Sequence, residues 1–114
     1  MLAAAIVLAI TAVAHSVLGE LLILGKIDPR VGFPRFLRSD VLAAQTIRAT
    51  WHLPSILGAA IVAILVHEPR DPFVIDAVLA TLVACAVVIA IATRLRHPGW
   101  LAFTIASVLV FLDR

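Results

Sequence analysis

The sequence predicts an all-α integral membrane protein, a four-helix bundle with up-down-up-down connectivity. Three observations predict it. First, 63% of the 114 residues are hydrophobic and the mean hydropathy is +1.14, whereas an ordinary soluble domain is about 45–50% apolar. Second, the excess is gathered into long runs, at 2–24, 41–66, 73–93 and, more briefly, about 96–112, which is the length signature of spanning helices. Third, most of the charge falls in the short gaps between the runs. The formal charge of +2 and the pI near 9.5 are therefore a topology signal and do not point to a nucleic-acid partner. A single domain is expected. The lone Cys85 lies in an apolar run and has no intrachain disulfide partner.

The first span, Leu2 to Leu24, covers roughly 34 Å at about 1.5 Å per residue, enough for a hydrocarbon core of about 30 Å. Ala12-Val13-Ala14 has the pattern of a leader-peptidase site, but no Lys or Arg precedes the run and the apolar pattern continues past it, so a retained helix is expected. The first connection, Lys26 to Asp40, carries turn residues at Asp28-Pro29 and Gly32. Phe33-Pro34-Arg35-Phe36-Leu37-Arg38 reads as a short interfacial helix. Ser39 or Asp40 would cap the second span, Val41 to Val66. That span is interrupted by Gln45, Arg48 and His52, and Pro54 frees the carbonyl of Thr50, which predicts a kink. His67 to Pro72 is a tight polar turn. The third span is Phe73 to Thr93. The fourth is short: Trp100 to Leu112 gives roughly 20 Å, so it either starts before Pro98, with Arg94 and Arg96 snorkelling, or ends shallow. Six of the nine Lys and Arg residues fall in the first and third connections. The positive-inside rule then places those connections in the cytoplasm and both termini outside, in a bacterial inner membrane.

An ionisable group within a span is a functional hypothesis by default, and the first two spans hold several. A short connection makes them antiparallel neighbours. With Leu24 opposite about Ala43, residue numbers at equal depth add to about 67. That sets His15 opposite His52 near the midplane and Glu20 opposite Ile47 and Arg48 in the cytoplasmic half. Gln45, Arg48 and His52 share one helix face. His15 and Glu20 are about 140° apart around their helix, so Glu20 is better placed to support the site, through Arg48, than to be a third ligand. Ser16 and Gly19 leave room for a close helix or a ligand.

Three function classes follow. In the first, His15 and His52 hold haem as axial ligands or bind copper, zinc or iron, with Glu20, Gln45, Arg48 and Ser16 around them; a small polar ligand fits the same site. The plain alternative is two neutral imidazoles hydrogen-bonded to each other or to Thr11 and Thr50, with Glu20–Arg48 a structural clamp. The second class is a small proton-coupled transporter or channel acting as an oligomer. Here the length, the four spans and the Glu in the first helix resemble the small multidrug resistance transporters in architecture. The chain has no Tyr, however, and its Glu has an Arg partner. The third is a structural accessory subunit, packing through the Ala-rich third span and Ala59-x-x-x-Ala63 against another copy or a partner. His67, Glu68, Asp71 and Asp76 form a further acidic cluster, read as a solvated turn. No nucleophile–base pair, phosphate loop or multi-histidine box indicates an enzyme.

His15-Ser16-x-x-Gly19-Glu20 in the first span, together with Trp51-His52 in the second, resembles small uncharacterised bacterial four-helix membrane proteins. The resemblance covers the first half of the chain. It implies the same fold and brings no activity with it.

Overall fold

A computed structural model describes residues 1–27, 40–67 and 71–114. Within them the chain is all-helical. The helices are α1 (Leu2–Leu22), α2 (Asp40–Val66), α3 (Pro72–Thr93) and α4 (Gly99–Leu112), and a 3₁₀ turn over Leu24–Lys26 follows α1. No strand occurs among the described residues. The expected interfacial helix at Phe33 to Arg38, the turns at Asp28-Pro29 and Gly32, and Glu68 to Arg70 lie outside them. Three of the helices are long and apolar enough to cross a membrane, and less than a quarter of each is buried (22%, 6% and 17% for the segments containing α1, α2 and α3). Large apolar side chains stand far out of the protein, among them Phe73 at 78% and Ile91 at 74% exposure.

The helix boundaries have local causes. Asp71 caps α3 by accepting a hydrogen bond from the Phe73 amide at 2.9 Å, and Pro72 follows in the first turn, where its missing N–H has no intrahelical partner to lose. α2 continues as helix through Pro54. α3 ends where Arg94 and Leu95 both turn left-handed, at φ 50° and 63°. Neither is glycine, and a bulky side chain seldom adopts that conformation. The turn is tied by backbone bonds from Arg94 and Leu95 to the last carbonyls of α3, and by the Trp100 indole N–H, which donates to Leu95 O at 3.1 Å. The His97 ring accepts the Gly99 amide through Nδ1 at 3.0 Å. α4 therefore starts at Gly99 and not near residue 96: the left-handed pair and the turn behind it rule out the longer version of this helix.

The chain divides into two compact units, residues 1–11 with 58–114, and residues 12–57. The first holds an apolar core. Ala4, Ala5 and Leu8 of α1, Leu65 of α2, Val78 and Leu82 of α3, and Ala106 and Val110 of α4 form one buried cluster. Within α1, α3 and α4 the core residues recur four apart, so each helix presents one face to it. The alanines let backbones approach closely. The Met1 amine pairs with Asp113, and Arg114 Nη1 pairs with Asp76 Oδ1 at 3.0 Å while its guanidinium lies over the Phe111 ring. These contacts bring the starts of α1 and α3 and the end of α4 to one end of this unit.

Leu82 is wholly buried. Leu82→Ala is expected to destabilise the protein by roughly 2–5 kcal/mol, measured by unfolding in detergent micelles. Val88→Ala, at a side chain 63% exposed, should leave the transition close to that of the parent.

Candidate functional site

The second unit, residues 12–57, holds the second half of α1 and the first half of α2. Its polar contacts order themselves as those of an antiparallel pair: Glu20 with Arg48, Ser16 with His52 and Ser55, His15 with Trp51. On α1 the contributing residues are His15, Ser16, Gly19 and Glu20. On α2 they are Arg48, Trp51, His52 and Ser55. Both sets follow helical spacing, so each helix turns one polar strip toward the other.

Gly19 decides how close the helices come. A Cβ added there would run into the five-membered ring of the Trp51 indole. With only hydrogen at that position the indole lies against α1 and stacks on the His15 ring, centroids 4.9 Å apart and planes within 4°. Two hydrogen bonds cross between the same residues. Trp51 Nε1–H donates to the His15 carbonyl at 3.3 Å, and His15 Nε2 donates to the Trp51 carbonyl at 3.1 Å. A carbonyl only accepts, so this bond fixes the proton on His15 Nε2.

The remaining polar groups form a chain. His52 Nδ1 lies 3.0 Å from Ser16 Oγ, which donates to Ser55 Oγ at 2.9 Å. The His52–Ser16 bond can run either way with the tautomer of the imidazole: Nδ1–H donates to Ser16, or Ser16 donates to Nδ1 while Nε2–H faces Glu20. The other nitrogen, His52 Nε2, lies 3.6 Å from Glu20 Oε2. Glu20 is held by Arg48 through two bonds, Nε to Oε2 at 3.1 Å and Nη2 to Oε1. This fork-to-carboxylate geometry fixes the direction of the carboxylate as well as its charge. Neither side chain is covered by the protein: Arg48 is 55% and Glu20 36% exposed.

The structure therefore joins Glu20 to Arg48, the two residues that the hairpin arithmetic set at one depth. It pairs the histidines differently from expectation. His15 lies on Trp51, and His52 lies between Ser16 and Glu20. Gln45 is exposed and stands apart from this chain. Thr11 and Thr50 bond to carbonyls of their own helices, so neither serves a histidine. Sequence reasoning missed Ser55, whose signal is its spacing of three residues from His52. Trp51, which the resemblance singled out, has both its indole N–H and its carbonyl engaged. Of the outer acidic cluster, Asp71 caps α3, Asp76 pairs with Arg114, and Glu68 is outside the described residues. Among the described residues no three His, Cys, Asp or Glu side chains are grouped to hold a metal. No family model, curated protein or solved structure matches the chain.

Gly19→Ala should force the Trp51 indole off the His15 ring, shift Trp51 emission in a Trp100→Phe background, and destabilise the protein by about 1–3 kcal/mol, as overpacking does. Adding Trp51→Phe removes the ring atoms that clash. The double variant should then lose less stability than the two single losses added together, a coupling read directly from a double-mutant cycle.

Proposed function

We propose that the protein is an integral membrane protein of up-down-up-down connectivity whose α1–α2 hairpin binds a small polar ligand at His52, between Ser16 and the Glu20–Arg48 pair. The membrane part of this reading is supported by three long apolar helices that the protein itself leaves mostly uncovered. Apolar surface on that scale is far beyond the patches soluble monomers expose, and lipid is the partner that fits it. The distribution of Lys and Arg supports a bacterial inner membrane orientation with the first and third connections cytoplasmic.

The observation that carries the site is the position of His52. One of its nitrogens meets a hydroxyl, and the other faces a carboxylate that an arginine holds in place. A group bound at Nε2 would meet an acceptor, Glu20, and the donors of Arg48 within one small region. This favours a polar or hydrogen-bonding ligand. The metal and haem readings draw less support. His15 Nε2 is spent on a carbonyl, leaving His15 Nδ1 and His52 Nε2, and the stacked indole occupies one face of the His15 ring. A transporter is the neighbouring reading, and it shares the same polar centre.

Two measurements check this. The protein should remain with the membrane pellet through alkaline carbonate extraction; release into the supernatant would overturn the membrane reading. Gently purified protein should show no stoichiometric transition metal by mass spectrometry and no Soret band; either signal, if lost in His52→Gln, would replace the polar ligand with a metal or haem.

A further inference from the structure

We infer that the species this site handles is the proton, and that Glu20, His52, Ser16 and Ser55 form a relay that passes it along the α1–α2 hairpin; the inference rests on the membrane site proposed above. The four groups stand in line: the carboxylate lies 3.6 Å from His52 Nε2, His52 Nδ1 is bonded to Ser16 Oγ at 3.0 Å, and Ser16 Oγ to Ser55 Oγ at 2.9 Å. Each interior member can both give and take a proton. A serine hydroxyl is a donor and an acceptor at once, and a neutral imidazole has one nitrogen of each kind.

The chain therefore has two complete hydrogen-bonded arrangements. In the first, His52 Nδ1–H donates to Ser16, Ser16 donates to Ser55, and the Nε2 lone pair faces Glu20. In the second, Ser55 donates to Ser16, Ser16 donates to Nδ1, and Nε2–H faces Glu20. A proton delivered to Nε2 converts the first into the second. An N–H bond forms at Nε2. The Nδ1–H bond breaks as a new O–H forms on Ser16. The original Ser16 O–H breaks as a new O–H forms on Ser55, and the original Ser55 proton leaves to water. One proton enters and one departs, with no net change in the charge of the chain. A half-turn of the imidazole with rotation of both hydroxyls restores the starting arrangement.

The surroundings suit this task. The Glu20 end is the open one: its carboxylate is 36% exposed and 3.6 Å from Nε2, so a water bound beside the two groups is placed to hand over the proton. The charged groups at His52 are Glu20 from α1 and, behind it, Arg48 from α2. Arg48 holds the carboxylate oxygen Oε2 toward the imidazole. His15 is outside the relay because its Nε2 proton is committed to the Trp51 carbonyl. One histidine stacks on Trp51 and the other follows it directly in the chain, and they have separate tasks: His15 fastens the two helices and His52 belongs to the relay.

The test uses the full chain reconstituted into phosphatidylcholine vesicles that enclose a pH-sensitive dye, with a valinomycin-set potassium potential driving proton entry. Vesicles carrying the protein should acidify faster than protein-free ones. Ser16→Ala breaks the chain at its centre and should lower the protein-dependent rate roughly a hundredfold, the low end of what a positioned proton-transfer group contributes. Ser16→Thr keeps the hydroxyl and should restore the rate. Thr104→Ser, whose hydroxyl bonds only within α4, should match the parent. Unchanged Trp51 emission in Ser16→Ala, in a Trp100→Phe background, shows that the hairpin is intact. Protein that floats with the vesicles but adds nothing to the protein-free rate, or an intact Ser16→Ala that conducts like Ser16→Thr, overturns the relay alone. Protein that does not float with the vesicles overturns the membrane reading and the relay with it.

Discussion

The polar centre depends on one exchange. Trp51 and His15 each direct a side-chain N–H at the other's main-chain carbonyl while their rings lie stacked. The exchange is available because Gly19 presents no Cβ to the indole. It sets the distance between the two helices and their rotation, and the partners of Ser16, Glu20, Arg48 and His52 follow from that. Polar groups in an apolar helix must find partners in protein, since hydrocarbon offers none. Here one glycine and one tryptophan arrange that several find them at once.

The three long helices were legible in the sequence because their apolar runs exceed what any soluble helix needs. The Glu20–Arg48 contact was legible because opposite charges at matching depths leave few alternatives. The histidines were not. Adding residue numbers fixes depth along a hairpin but not rotation about each helix axis, and one residue is about 100° of rotation. His15 therefore meets Trp51 and His52 meets Ser16, although the two histidines share a depth. The start of α4 was hidden for another reason. It is set by left-handed backbone at Arg94 and Leu95, and neither residue type announces such a turn as glycine would.

The two units divide labour along the same helices. The start of α1, up to Thr11, and the last stretch of α2 contribute alanine and leucine to the apolar core. The later part of α1 and the earlier part of α2 contribute serine, histidine and charge. Arg48 and Glu20, both partly exposed, belong to that second stretch.

α4 has a consequence of a different order. Its 14 residues give a cylinder of roughly 21 Å, next to α3, whose 22 residues give roughly 33 Å. Were both set across one bilayer, as the proposed topology has them, these two lengths could not both match a hydrocarbon layer of about 30 Å. Lipid beside α4 would have to thin, and lipid beside α3 would not, so the membrane would carry an uneven dent on one flank of the molecule. Such a dent has an elastic energy that falls when the bilayer is thin or when two dented flanks meet.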